Sequence, residues 1–295
     1  PLEATPGAFA SRGGREALSN PQFCEECGAV KADAVLAPPA PPLKPRRYAV
    51  VETECQYDSV RELLAELRAR RPQVTSAQAL RTHVFVGIVD AHRSLIQHGT
   101  KLTMVTHSLL SRELFYQLAL RQFATTPRVE LDPPYPVSDL IKAHLAACEA
   151  DVIADPAAAA TDAAAALTSK GAMLLEYFSL GIDDGGRLTH LPLLLSGYMP
   201  QLAGVPGFLW RLATETEWRY ERQCFDDVAR HLGTLYCQLP TADEETLTPE
   251  GAETLKSVIF PALKQLFLPP EKLPDGECLD TLTSLEQLYR EFERC

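Results

Sequence analysis

The residues in this chain with types and spacing suited to chemistry are aspartate, histidine and cysteine. Asp90, His92 and His98 follow the strongest strand-like run, Val84 to Val89, and a carboxylate with two imidazoles is a donor set that a divalent ion accepts. The activity this would imply is metal-dependent nuclease chemistry in the chain itself. No acidic pair follows at helical spacing, because Gly99, Thr100 and Lys101 come next. The simpler reading is strand-end residues that face solvent or a partner. Asp183-Asp184-Gly185-Gly186 suggests calcium, yet no twelve-residue loop with a closing Glu surrounds it, so it reads as a turn.

The eight cysteines are spread along the chain without a dense framework, which favours a reducing compartment. Cys24 and Cys27 form a C-x-x-C with no second pair and no histidine before His83, half of a zinc site at most, and read as two free thiols. Cys295 is the last residue printed, so its sulfur and a terminal carboxylate would lie close together, and both are competent ligands for a divalent metal. The bland alternative is a frayed end with an idle thiol. Loops for phosphate or dinucleotide (G-x-x-x-x-G-K-[ST], G-x-G-x-x-G) and the H-E-x-x-H and G-x-S-x-G signatures are absent from the sequence.

In composition, 28 Lys and Arg against 39 Asp and Glu give a net charge of −11, which argues against a module that coats DNA by displacing counterions. With 46% hydrophobic residues over 295 positions, most of the chain is able to bury a core. No run approaches the length of a membrane span. The opening Pro1-Leu2-Glu3 carries neither Met nor a signal peptide, and we expect a fragment of a longer chain.

Residues 1–46 hold eight of the 23 prolines and no apolar periodicity, as a disordered Pro/Ala-rich linker would. Tyr48 to Val51 suggests a short strand. Ser59 with Glu62 matches a capping box, and Val60, Leu63, Leu64 and Leu67 predict an amphipathic helix over 59–70. Three neighbouring antiparallel strands are predicted at 84–89, 94–96 and 102–105, then a helix capped by Ser108. Past the Pro133 to Pro136 break the chain reads as mainly helical, with helices over 137–150, 167–180, 217–238 and 249–267. The alanine-rich 154–166 reads as a variable insertion of little information. A last helix is predicted with Leu282, Leu285, Leu288, Tyr289 and Phe292 on one stripe. The pattern is α+β.

Several blocks resemble one family. Phe85 to Asp90, Gln97 to Leu102, Glu113 to Gln117, Glu176 to Leu180, Leu191 to Leu195, Arg211 to Glu215 with Trp218, and the ending Phe292-Glu293-Arg294-Cys295 are similar, in order, to the C-terminal region of the eukaryotic MutL homologue 1 family of mismatch repair. The resemblance covers roughly 47–295. It implies a MutL C-terminal-type domain, with a dimerisation subdomain from 47–132 and 250–295, a small mixed sheet with helices, and an inserted, mainly helical external subdomain over 133–249. It further implies a nuclear, non-catalytic scaffold fragment, with the ATPase domain upstream, that pairs with a post-meiotic-segregation-type MutL subunit holding the endonuclease site. The corresponding stretch here, Asp90-Ala91-His92-Arg93, lacks the later Glu of the partner's motif.

By the same resemblance, Cys295 reaches the partner's zinc site in trans, and no cofactor is held by this fragment alone. Repair exonucleases and MutS-type complexes are expected partners of the full-length protein, with a possible meiotic role and no direct DNA contact from this fragment. Phe85, Ile88, Leu102, Met104, Leu288 and Phe292 are the dimer-interface candidates. A client-peptide groove is expected, from aromatics beside acids, at Glu217, Trp218 and Glu221.

Overall fold

The computed structural model describes Tyr48, Val50, residues 56–70, 74–147, 154–270 and 278–284, Gln287 and Arg290, all within the compact unit Pro45–Cys295. The linker expected at 1–46 therefore lies outside the described residues.

Helix α1 (Asp58–Ala69) buries Val60, Leu63, Leu64 and Leu67, the stripe its spacing predicts. Its cap differs from expectation. Tyr57 is the N-cap, with no side-chain bond, and Ser59 sits one turn position inside, its hydroxyl donating to Glu221 Oε1 at 2.5 Å. A short helix that the sequence pattern did not suggest, α2 (Val74–Thr82), leads into β1 (Val84–Ile88), β2 (Arg93–His98) and β3 (Lys101–Thr106), which pair antiparallel in sequence order. Helix α3 (His107–Arg121) starts directly from β3, one residue before the Ser108 cap the sequence suggested. It is buried along nearly its whole length.

The strand β4 (Arg128–Pro136) replaces the expected break. Its prolines are tolerated because β4 is an edge strand, and its register against β6 (Arg187–Pro192) shifts between Glu130 and Tyr135, where they lie. With β5 (Gly181–Ile182) these make a second sheet, order β4-β6-β5, so the boundary expected at 132/133 falls inside a strand. Helix α4 (Val137–Ala147) follows, then α5 (Pro156–Ser169). The alanine segment, read as a variable insertion, forms a capped and partly buried helix. Asp155 caps α5 by accepting from the amides of Ala157 and Ala158, and Ala160, Ala163, Ala164 and Leu167 are buried. Side chains this small let α5 lie close on α4 and α7 (Val205–Glu215), which is how alanine contributes to a core. Lys170 separates α5 from α6 (Gly171–Phe178).

Helix α8 (Glu221–Tyr236) crosses α3 at Gly233. A Cβ there would stand 2.7 Å from the carbonyl oxygen of Arg112. Around this crossing Phe115 stacks on Tyr198 at 5.2 Å, Tyr236 lies at 5.5 Å from it, and the Tyr198 and Tyr236 hydroxyls donate to the carbonyls of Tyr236 and Pro192. Helix α9 (Pro249–Thr254) widens into a π turn at Leu255–Ile259 before α10 (Phe260–Leu266). Pro261 accounts for the widening, since it lacks the N–H an α-helix would aim four residues back. Tyr48, expected in a strand, lies outside any strand and donates its hydroxyl to the Val258 carbonyl in that turn.

The end of α10 is gripped by α3. Gln117, fully buried, donates to the Leu268 carbonyl at 2.8 Å and accepts from the Leu268 amide at 2.9 Å, and Arg121 donates to the Leu266 carbonyl at 2.6 Å. The chain returns as β7 (Leu279–Ser284), antiparallel to β3, which completes the first sheet in the order β1-β2-β3-β7. Leu282, expected on a helical stripe, is thus in a strand. Thr281 and Thr283 are β-branched, and β3 offers an unpaired ladder of backbone groups for them to join. No described helix is long and apolar enough to cross a membrane.

Candidate partner-binding surface

The first sheet has two different faces. Phe85, Ile96 and Thr103 are partners across β1, β2 and β3, as are Ile88, Ser94 and Val105, and these rows turn toward α2, α3 and α10. Ile96 and Val105 are fully buried, and Phe85 packs on Phe260 with ring centroids 4.8 Å apart. The opposite face carries Leu95 beside Met104, and Val84, Gln97 and Leu102 in register. This face is the less buried of the two: Leu95, Leu102 and Met104 are half-buried, and Val84 and Gln97 are exposed.

Of the four dimer candidates in described residues, Leu102 and Met104 therefore lie on the open face. Phe85 and Ile88 are corrected to the core face. The bulge between Phe85 and Gly87 changes the phase of β1, and a strand with apolar residues on both sides gives alternation nothing to choose between. Leu288 and Phe292 lie outside the described residues. Sequence reasoning missed Leu95, Val84, Val86 and Leu282. Val84 and Val86 are 62% and 50% exposed on edge strand β1, and Leu282 is 52% exposed on β7, the other edge. Apolar edges of this kind are templates for another chain.

The nuclease candidates do not meet. Asp90 and His92 precede β2 while His98 ends it, so about 15–20 Å of extended chain separates them. Asp90 is also fully engaged. It accepts from the amides of His92 and Arg93 at 2.8 and 2.7 Å and from Arg93 Nε at 2.7 Å. Partial burial works against the charge, but these hydrogen bonds outweigh it and hold the Asp90 carboxyl below its usual range. His98 bonds through Nδ1 to Thr82 Oγ1 at 2.8 Å. Among the described residues, no group of three or more His, Cys, Asp or Glu is arranged to hold a metal.

The 89–93 turn is instead a structural connector. The Ala91 amide donates to the Glu245 carbonyl at 2.7 Å, and Ala91 O receives a bond of 3.0 Å from His107 Nε2. Through Nδ1, His107 pairs with Ser94 Oγ at 2.9 Å. Burial lowers the His107 pKa to about 4, and burial does the same to His83, which bonds the Leu80 carbonyl through Nδ1. Both are neutral in the folded chain and protonate in the unfolded chain near 6.5, so their contribution is whole above pH 6.5 and drains away as pH falls toward 4. We expect each to cost about 2–3 kcal/mol by pH 4. Denaturant midpoints for the chain and for His107→Gln will converge as pH drops from 7 to 4.5, and parallel curves would refute the assignment.

The peptide candidates stand at the α7–α8 elbow. Glu217 accepts from the Arg219 amide, and its own amide donates to Asp227 Oδ2 at 2.9 Å. The Lys170 ammonium lies 5.9 Å from the Trp218 ring centroid, and Trp218 Nε1 is buried without a hydrogen-bond partner. Glu221 is taken by Ser59, as above. Cys224 and Cys278 are buried, and burial raises both thiols to about 11, well away from reactive thiolates. Cys24, Cys27 and Cys295 lie outside the described residues.

Known proteins share this pattern. The chain is 31% identical to the DNA mismatch repair protein MLH1 of Saccharomyces cerevisiae over 72% of this chain and 30% of that protein. It is 28% identical to the DNA mismatch repair protein Mlh1 of Dictyostelium discoideum over 86% of this chain and 31% of that protein. The putative MutL protein homolog 1 of Schizosaccharomyces pombe is 29% identical over 75% and 32%. The chain thus spans about a third of the length of these curated relatives. Residues 56–295, from the start of α1 through both sheets to Cys295, match the family model for the DNA mismatch repair protein Mlh1 C-terminus, and the chain belongs to that family.

Proposed function

We propose that this chain is the pairing and scaffold domain of a MutL-type heterodimer acting in DNA mismatch repair, in the nucleus. The observation that carries the reading is the second face of the first sheet, with Leu95, Leu102 and Met104 half-buried and apolar residues exposed on both edge strands, inside a chain of the Mlh1 C-terminal family. The partner is an endonuclease-bearing MutL subunit of the post-meiotic-segregation type. A scaffold role is supported by Asp90, whose carboxylate is spent on its own turn and on Arg93, with His98 at the far end of β2.

The thiolate of Cys295 is assigned as a zinc ligand in the partner's site. Thiolate suits zinc, and the family match extends through this residue. Repair exonucleases and MutS-type complexes are the further partners of the full-length protein, with client peptides assigned to the elbow at Glu217, Trp218 and Glu221. Gel filtration of the chain mixed with the partner tests the pairing, and separate elution at micromolar concentration would refute it. With Cys295→Ala, the assembled pair is expected to lose zinc and to nick supercoiled DNA more slowly. Unchanged zinc content and unchanged nicking would remove the role.

A further inference from the structure

At the end of α8 opposite the Trp218 elbow, about 24 Å away by helix rise, lies a cleft of about 530 Å³. Its walls are the turn before β2, the first residues of α3, the short turn Leu202–Gly204 that leads into α7, and the run from Cys237 to Thr241. The volume is that of a ligand site. In a chain of net charge −11, no carboxylate, ammonium or guanidinium group of the described residues lines it.

The polar groups that do line it are amides, hydroxyls, a thiol and two imidazoles, and most are unengaged. His107 is tied to Ala91 and Ser94, and Cys237 Sγ donates to the Thr234 carbonyl at 3.3 Å. The carboxamides of Gln201 and Gln238 and the hydroxyls of Ser108 and Thr241 make no hydrogen bond with any described residue. Ser108, Gln201 and Gln238 are half-buried, where a polar group without a partner carries a cost. Leu239 likewise leaves its backbone N–H and carbonyl unpaired among the described residues. A carboxamide holds the N–H and C=O of a peptide group on a side chain. Two of them beside a free main-chain pair match the donors and acceptors along an extended backbone.

Gly204 makes room for this arrangement. Its φ of −81° and ψ of −16° suit any residue, so the backbone does not call for glycine. A Cβ there would instead collide with the Gln238 carboxamide.

We propose that this cleft is a second docking site, for an extended, uncharged peptide segment held through its main-chain amides by Gln201, Gln238 and the backbone of Leu239. It shares no residue with the elbow and stands apart from the assignment made there.

The test uses the full chain, with acetyl-tetraalanine amide as the probe and NMR as the readout. The probe is expected to shift the Leu239 N–H signal and the side-chain NH2 signals of Gln201 and Gln238. Gln201→Ala with Gln238→Ala is expected to weaken binding about tenfold, the yield of two hydrogen bonds, and Gly204→Ala about fivefold. Glu221→Ala, at the elbow, is expected to leave it unchanged. Gly204→Ala displaces only the end of a flexible side chain, so it decides the matter if the double variant does not fold. The proposal is overturned if about 10 mM probe moves no cleft signal, if the shifts gather around Trp218 instead, or if a folded variant of either kind binds unchanged. It is equally overturned if inorganic phosphate moves the cleft signals and the capped peptide does not, the mark of an anion site.

Discussion

Met104→Lys is expected to abolish pairing with an endonuclease-bearing MutL subunit while leaving the isolated chain folded. Met104 stands on the open face between Leu95 on β2 and Asp280 on β7, so a lysine there is solvated in the single chain and has a carboxylate opposite it. Covered by a partner's apolar surface, the same ammonium loses its water. Burying a charge in such a place costs several kcal/mol, which weakens the dissociation constant about 100-fold or more. Titration calorimetry with the partner reads the loss, and thermal melting of the chain alone shows whether the fold has been spared. Equal affinity for the two forms would mean that the partner seats elsewhere.

The second large effect is on stability. Phe115 is fully buried in α3, stacked on Tyr198 and tilted against Tyr236, close to where α8 crosses at Gly233. The glycine lets the helix backbones approach closely, which leaves little freedom for the site to collapse around a void. Phe115→Ala is expected to cost about 3–5 kcal/mol and to lower the melting temperature by roughly 10 °C. A drop of only one or two degrees would mean that the crossing relaxes, and the contacts of Gly233 would be the place to look for the movement.

Much of this architecture was legible in the sequence, and the parts that were not share a physical cause. Helix α1 carries a clean period of 3.6, and β2 and β3 bury alternate residues, so local pattern and tertiary burial agree there. The Asp90–Arg93 ion pair was not anticipated from the sequence. It mattered because it occupies the carboxylate that the nuclease reading needed. What pattern missed was decided by neighbours far along the chain: β4 keeps its prolines because its outer edge is unpaired, and α5 is buried because α4 and α7 lie against it. Strand β7 exists because β3 has a free edge. The faces of Phe85 and Ile88 were hidden by a one-residue bulge, a feature with no sequence signature beyond Gly87.

The pairing of β3 with β7 also has a consequence in time. Leu279 is hydrogen-bonded opposite Val105 across about 175 residues of chain, so on a ribosome the third strand waits unpaired on one side while the rest is made. At the usual pace of synthesis that wait is about 10–35 s. The first sheet is thus complete only once β7 has been made, and a stop codon before Leu279 would leave β3 with a bare edge.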